Sequence, residues 1–330
     1  MATNKKKVLV PEDLGQAGWH LLRARDDIEV ATFPNFITRA DFQDLLRRHG
    51  KVHAVVLGGT PYGPEEFQAT DGLAVVARVG VGFDAVHIPS LNAARVPLMT
   101  AGTANSPSVA ELAVFFMMTL AKRGAMFNTL VQEGRWVADR MKQMPADLNG
   151  KTVLIVGFGR IGTRTAKRCA AMEMEVLVHD PYVSEVSIRA AGCEPAPDLD
   201  AALARADFLT LHCPKTPETV GLINAERLAR MKPTAYLVNT ARGGIVDEPA
   251  LHAALTAGRL AGAGLDVYAQ EPPDPDNPLL KLDSVVSSPH MAGVTTEAVE
   301  RKSEVSIRNV LSVFDGAIIR ENVVNKEVLG

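Results

Sequence analysis

Residues 152–162 read Thr152-Val153-Leu154-Ile155-Val156-Gly157-Phe158-Gly159-Arg160-Ile161-Gly162, an apolar run that enters a G-x-G-x-x-G turn, and no other segment restricts the fold as strongly. A run this short and this rich in β-branched residues is a buried strand. The first glycine allows a tight turn, the second lets backbone amides approach a pyrophosphate, and the third lets the following helix pack closely on the strand. A helix opening at about Gly162 would offer free N–H groups and partial positive charge to phosphates. A second strand ends at Val178-His179-Asp180, which puts Asp180 18 positions after Gly162, close to the roughly 20 expected for an acid that accepts hydrogen bonds from a ribose. A carboxylate there repels a 2′-phosphate, and Pro181-Tyr182-Val183-Ser184 has no cation to hold one, so NAD is favoured over NADP. A structural strand-end Asp beside a tight turn is the competing reading; the agreement of strand, glycines, helix and acid argues against it.

The fingerprint lies inside a longer alternation. Strand candidates at 7–10, 29–33, 54–57, 75–79 and 96–100 alternate with helical stretches at 15–25, 39–48 and 64–69, with no glycine fingerprint among them. Their strands are continuously apolar, as in a parallel sheet covered on both faces. Asn105-Ser106-Pro107-Ser108 then marks a change of character, and two helix starts are open: Ser106 before Pro107, or a Ser108/Glu111 capping box. The apolar helix at about 109–122 and the less periodic 123–148, with Trp136 and several Met, read either as an interface or as a core helix followed by a surface connection. From 151, strands at 152–156, 175–178, 208–211, 235–239, 262–266 and 285–287 alternate with helices at 161–172, 199–204, 225–231 and 248–257. Six short strands linked by helices predict an α/β fold with a doubly wound parallel sheet. An amphipathic helix at 295–314 and a tail at 318–329 complete the chain.

Charge and composition exclude other classes. Lys+Arg 35 against Asp+Glu 38 gives a net charge of -3, with both signs spread along the chain, which argues against a nucleic-acid partner. Val8-Leu9-Val10 after Lys5-Lys6-Lys7 stops at Pro11, far short of a secretory core. The most apolar stretch, 112–121, is well below the ~20 residues that span a bilayer, so no membrane partner is expected. Cys169, Cys193 and Cys213 are odd in number and lack C-x-x-C spacing, so a reducing cytoplasm and no metal site are expected.

Ligands of doubly wound sheets bind outside the carboxyl ends of the strands. Three later strand ends offer polar groups there: Asn239-Thr240-Ala241-Arg242-Gly243-Gly244, Asp266 to Pro273, and Ser288-Pro289-His290-Met291-Ala292-Gly293. Among them are the guanidinium of Arg242, the carboxylate of Glu271 and the imidazole of His290, a set able to bind a carboxylate and exchange a proton. Each residue alone also has a structural reading. His212 ends a strand too, and pattern alone does not choose between it and His290.

Together, Gly157 to Gly162, His212-Cys213-Pro214-Lys215-Thr216, Asn239 to Glu248, Gly264-Leu265-Asp266-Val267 with Glu271-Pro272, and Ser288-Pro289-His290 with Gly293 resemble the D-isomer-specific 2-hydroxyacid dehydrogenases, in particular the phosphoglycerate dehydrogenase-like branch. The resemblance covers nearly the whole chain. It implies a flavodoxin-like substrate-binding domain at 1–104 and 296–330, a Rossmann NAD-binding domain at 105–295, and an active site in a cleft between them. It also implies a homodimer through the NAD-binding domains, with the 109–122 helix and the Trp136 loop at the interface.

By the same resemblance His290 is the acid–base group, Glu271 its partner, and Arg242 the residue that holds the substrate carboxylate and polarises the carbonyl. Gly157, Gly159, Arg160, Ile161, Gly162, Asp180, Cys213, Pro214, Thr240, Ala241, Asp266 and Gly293 would line the cofactor, Asp266 at the nicotinamide carboxamide. Arg78 and the backbone N–H groups of Val79 and Gly80 would bind substrate. Asp84-Ala85-Val86-His87 departs from the usual run there, and Leu57-Gly58-Gly59-Thr60-Pro61 lacks the second basic residue some phosphoglycerate dehydrogenases carry. The chain stops at Gly330, without the C-terminal regulatory domain of longer members. Hydroxypyruvate or glyoxylate is therefore as credible a substrate as 3-phosphoglycerate. An NAD-responsive, corepressor-like binding protein on the same fold is the alternative, disfavoured by the lack of extended tails.

Overall fold

Runs of Val, Ile and Leu too short for helices pair as parallel strands in two separate sheets of the computed structural model, which describes residues 5–136 and 144–330. One compact unit holds Met1–Asn105 with Gly293–Gly330, and a second holds Ser106–Ala292. The first begins β1 Lys6–Pro11, α1 Gln16–Arg23, β2 Ile28–Phe33, α2 Arg39–His49, β3 Ala54–Leu57, α3 Pro64–Gln68, β4 Val75–Arg78, α4 Ile88–Ala93 and β5 Leu98–Met99. Its sheet order is β2-β1-β3-β4-β5. The inner strands β3 and β4 are buried on both faces, which explains their unbroken apolar runs, whereas the edge strand β2 exposes Glu29 and Thr32. Val8 and Val10 pack on the side of Leu22, Ile307 and Val310, while Leu9 packs with Phe42 and Leu46 of α2 on the other.

The second unit comprises α5 Ser106–Lys122, α6 Gly124–Gln132, β6 Thr152–Val156, α7 Gly162–Ala171, β7 Glu175–His179, α8 Glu185–Ala190, β8 Glu194–Pro195, α9 Leu199–Arg205, β9 Phe208–Leu211, α10 Ala225–Arg230, β10 Tyr236–Asn239, α11 Glu248–Thr256, β11 Gly262–Leu265 and β12 Val285–Ser287. The strand order β12-β11-β10-β9-β6-β7-β8 places the change of winding direction between β6 and β9. Val153 and Ile155 lie against Phe116 and Met117 of α5, and Leu154 and Val156 against Leu203 and Leu251 on the opposite face. The chain then returns to the first unit as α12 Thr296–Phe314. Among the described residues no helix is long and apolar enough to cross a membrane.

Several local expectations change. The second sheet has seven strands rather than six: β8 has two residues and pairs only through Leu177↔Glu194 and Val178↔Pro195, too short to give a pattern. Helices α4 and α8, of six residues each, also escape periodicity. The stretch after α5 is not a plain connection but turns at Arg123, with φ 51, into α6. Its 137–143 portion lies outside the described residues. Helix α5 already begins at Ser106, and Glu111 reaches Arg168 Nη2 at 2.8 Å instead of folding back into a Ser108 capping box. Strand β5 shrinks to Leu98–Met99 because Pro97 has no N–H to extend the ladder. The tail covers this edge, with Leu98 N–H donating to Asn325 Oδ1 (2.7 Å) and Val324 N–H to Leu98 O (2.8 Å).

The loop after β3 is pinned by a fully buried carboxylate. Glu66 accepts from Arg39 Nε, Gln43 Nε2 and Gly63 N–H, each at 2.7 Å. Burial alone would raise its pKa, but these hydrogen bonds outweigh burial and hold it at about 2. Glu66→Ala is expected to cost about 1–3 kcal/mol in urea unfolding at pH 7. Because the folded carboxyl titrates below the ordinary 4.5, its contribution is complete above that pH and fades as pH falls toward 2. The difference between the two proteins should therefore narrow in melts at pH 3; a constant gap would contradict this account.

Candidate active site

Strands β6 and β9 are neighbours at the change of winding direction, so the Gly157 turn and the His212-Cys213 segment leave the sheet side by side. Their approach leaves no room for a side chain. A Cβ on Gly157, which has φ 95, would lie 2.6 Å from Cys213 N, and one on Gly162 would lie 2.0 Å from Gly157 O. Gly159 differs: nothing stands within 4 Å of its Cβ position. Among the described residues the N–H groups of Gly159, Arg160 and Ile161 have no hydrogen-bond partner, while Phe158 N–H donates to Asp180 Oδ2 at 2.7 Å. Asp180 Oδ1 accepts from Tyr182 N–H at 2.9 Å, so the acid assigned to the ribose also ties down the glycine turn. Thr240 Oγ1, at the end of β10, is buried without a partner. An open cradle of free amides and an unused hydroxyl fit a dinucleotide. Cys213 is no nucleophile, since burial pushes its thiol up to about 11.

The carboxyl ends of β10, β11 and β12 adjoin in that order and carry the acid–base candidates. Asn239, 2% exposed, accepts from Ala241 N–H and donates to Arg242 O, each at 3.0 Å, which shapes the turn bearing Arg242. A Cβ on Gly243 would stand 1.7 Å from Tyr268 O, so this turn rests directly on the backbone following β11. Glu271, in that following segment, accepts from Tyr268 N–H (3.0 Å) and pairs through Oε2 with His290 Nδ1 at 2.7 Å. His290 has φ 54. Its left-handed backbone is held by the N–H bond to Asp266 O at 2.8 Å.

The electrostatics follow from these contacts. The bond to Glu271 raises the His290 pKa, burial opposes this, and the charges of Glu271 and Asp266 add to the rise while Arg242 lowers it. For Glu271, burial raises the pKa, but the bonds from His290 and Tyr268 and the charges of His290 and Arg242 bring it below the usual value. Arg242, Glu271 and His290 therefore lie within electrostatic reach of one another in one unit. His290 Nε2 has no protein partner among the described residues, which leaves it able to exchange a proton. His212 is separated from this role by burial. It is partly buried, with Nδ1 shut off from water and Nε2 bonded to Thr210 Oγ1 (3.1 Å), and burial lowers its pKa to about 3, so it stays neutral.

One expectation needs correction. Val79 N–H does not face a substrate, because the ladder runs one residue past β4 and this amide donates to Leu57 O at 2.8 Å. Gly80 N–H has no partner among the described residues and has open space beside it. Asp266 is 1% exposed and accepts from Ser288 Oγ, Met291 N–H (2.8 Å) and Ala292 N–H (3.0 Å), clamping the turn that carries His290. Gly293 falls in the first unit, where its Cβ position is 2.6 Å from Asn105 Nδ2. Arg78 is fixed by its Nε bond to Gly82 O (3.1 Å) and by a bond from Nη1 to Gly58 O.

Sequence reasoning gave no role to Asn239, Ser288 or Glu248. Glu248 accepts from Ala269 N–H at 2.5 Å and thereby braces the Glu271 segment. Asn239 and Ser288 lie close in sequence to Arg242 and His290, whereas Glu248 is far in sequence from the segment it braces, and nothing in their spacing separates a bracing group from a solvated one.

Comparisons with known proteins place this arrangement. The family model described as D-isomer specific 2-hydroxyacid dehydrogenase, NAD binding domain, matches residues 114–292. The chain is 39% identical over 321 residues to a D-3-phosphoglycerate dehydrogenase of Archaeoglobus fulgidus, a match covering 97% of this chain and 59% of that relative. It is 41% identical over 310 residues to the D-3-phosphoglycerate dehydrogenase of Mycobacterium tuberculosis, covering 92% and 57%. The chain thus spans less than two thirds of these relatives' length. Among solved structures, the TT0316 protein of Thermus thermophilus superposes with a TM-score of 0.87 at 32% identity, covering 96% of this chain and 99% of that one.

The two glycines give opposite expectations. Gly159→Ala should fold with wild-type stability, within about 0.5 kcal/mol, yet weaken dinucleotide binding roughly tenfold or more because its methyl stands in the cradle. Gly162→Ala should lose about 2 kcal/mol or more through backbone overlap. Thermal melts and fluorescence titration with NADH check both, and unimpaired binding by Gly159→Ala would remove the cradle.

Proposed function

The chain belongs to the D-isomer-specific 2-hydroxyacid dehydrogenase family, and from that premise we propose that it interconverts a D-2-hydroxy acid and its 2-keto acid with NAD as cofactor. The observation that carries this reading is the 2.7 Å pair of His290 Nδ1 and Glu271 Oε2, with Arg242 in electrostatic reach. The nicotinamide cofactor, when bound, supplies the hydride added to C2 in reduction. Gly159, Arg160 and Ile161 would hold its phosphates, Asp180 its ribose, and Thr240 and Ala241 its inner side. The carboxylate of Asp180 supports NAD over NADP, since a 2′-phosphate beside it would be repelled.

His290 gives its proton from Nε2 to the developing alkoxide and takes it back in oxidation. Glu271 holds the ring and stabilises the imidazolium. Arg242 grips the substrate carboxylate and polarises the carbonyl, a task suited to a fixed, permanently charged fork. Substrates of the 3-phosphoglycerate, hydroxypyruvate or glyoxylate type fit this chemistry.

Self-association through the second unit belongs to the same proposal. It is supported by Phe115, Val131 and Trp136, large apolar side chains that are 56%, 56% and 63% exposed. Sedimentation should return twice the chain mass, and a Phe115→Glu/Trp136→Glu double variant should shift toward the monomer; a wild-type monomer at micromolar concentration would exclude it.

A panel of small 2-keto and 2-hydroxy acids, run with NADH and NADPH side by side, tests the activity. Turnover should favour NADH, and His290→Ala should lose roughly 100- to 10,000-fold in kcat while still binding cofactor. Reduction needs charged His290, whose pKa lies above 6.5, so kcat/KM should fall as pH rises through that raised value. Glu271→Gln should move this limb to lower pH. Normal turnover in His290→Ala would overturn the assignment.

A further inference from the structure

The first unit contains a cavity of about 510 Å³, set between the end of α12, the tail that follows it and the residues leading into β4 and β5. Its lining includes Ala74, next before β4, and Pro97, next before β5, so it lies at the amino ends of these strands. Open parallel sheets take ligands outside the opposite, carboxyl ends, and the reaction proposed above has no task for this place. The volume is nevertheless that of a small-molecule site, about 300–1,000 Å³.

Its walls combine two chemistries. Val313, Ile318, Val328 and Leu329 are apolar, whereas Arg95 and Arg320 bring two positive charges. Among the described residues neither guanidinium has a hydrogen bond or an ion pair, and no carboxylate lines the cavity. The Ile318 N–H also lacks a partner among them. Glu321 lines an adjoining depression of about 370 Å³, together with Lys326.

Arg95 stands where the backbone favours another residue. Helix α4 closes with two reversed bonds, Val96 N–H to Leu91 O (2.9 Å) and Arg95 N–H to Asn92 O (3.0 Å), and this closure sets Arg95 in the left-handed region at φ 57. Helices α8 and α12 close with the same pair of bonds and have Gly192 and Gly316 at that place. At the end of α7 the place is taken by Glu173, whose side chain is used, since it accepts from Asn149 Nδ2. Arg95 adopts the disfavoured conformation with no such bond to the protein.

We propose that this cavity is a second ligand site, separate from the acid–base centre, for a small organic acid whose carboxylate engages Arg95 and Arg320 and whose apolar body fills the space beside Val313, Ile318 and Leu329. A guanidinium fork matches a carboxylate, and two forks without a counter-charge call for an anion. A bare inorganic anion would leave the apolar wall wet, and a neutral apolar molecule would leave both charges unmet; an amphipathic carboxylate satisfies both. Such a ligand touches the tail through Ile318, Arg320 and Leu329 and the strand entries through Arg95 and Pro97. It therefore fastens the tail whose Val324 and Asn325 cover the β5 edge, and acts as an effector of the first unit's stability.

Calorimetric titration of the full chain with phenylacetate and hexanoate, against acetate and 1-hexanol, tests the site. The two amphipathic acids should bind saturably, and acetate and 1-hexanol at least about tenfold more weakly. Arg95→Gly and Arg320→Gln should each weaken phenylacetate roughly tenfold or more. Phenylacetate should raise the Tm of the wild type but not of Arg95→Gly, and Arg95→Gly without ligand should melt no lower than the wild type, because glycine suits the left-handed position. Arg242→Gln removes the carboxylate grip of the acid–base centre, and one phenylacetate site per chain should remain in it, whatever becomes of the dehydrogenase reading. Loss of binding in Arg242→Gln, acetate or 1-hexanol binding as tightly as phenylacetate, wild-type affinity in both cavity variants, or a lowered Tm in Arg95→Gly would each overturn the proposal.

Discussion

The proposed acid–base centre depends on one backbone contact, the approach of Gly243 to Tyr268 O, where a side chain would stand 1.7 Å from the oxygen. A parallel sheet brings successive strand ends to one edge but leaves their turns about 5 Å apart, and functional groups on separate turns need something to draw them together. Here the turn after β10 lies directly on the segment after β11, and Asp266 clamps the turn after β12 by three hydrogen bonds. Arg242, Glu271 and His290 are thereby carried on three short turns locked by main-chain contacts. Their side chains remain half exposed while their backbones have little freedom, which is the preorganisation that proton transfer requires.

Much of this was legible in the sequence. Strands 54–57, 152–156 and 208–211 were bounded to the residue, because a parallel strand buried on both faces is a continuous apolar run ended by polar or turn residues. The glycine fingerprint announced both a strand and a helix. What escaped was set by distance in space. Pattern gave His212 and His290 equal standing, and only burial and the Glu271 carboxylate separate them. Val79 was misassigned because the ladder outlasts the strand by one amide. Lys302, on α12, reads as one more polar position on an amphipathic helix, and nothing local says that its face is covered to 7% exposure.

The charge balance illustrates the same limit. A net charge of -3 describes solubility and gross partners, not the field inside a site. In the second unit that field is made by Glu271 and Arg242 acting on one imidazole. Glu271 wins over Arg242 at His290 because it is in direct contact, so a nearly neutral chain keeps a histidine charged at higher pH than free histidine.

Asp180 carries a consequence for how such a protein can change. Its carboxylate is at once the strand-end acid of the dinucleotide fingerprint and the acceptor that holds Phe158 N–H in the glycine turn. Under the proposed preference for NAD, cofactor choice and loop architecture are therefore not separate traits. An ancestor drifting toward a phosphorylated dinucleotide by losing this acid would first slacken the turn that grips either cofactor, so the route passes through a valley of weaker binding unless a neighbouring residue takes over the amide beforehand. A single side chain with two duties makes one specificity hard to leave, and that entrenchment is written into the geometry of one hydrogen bond.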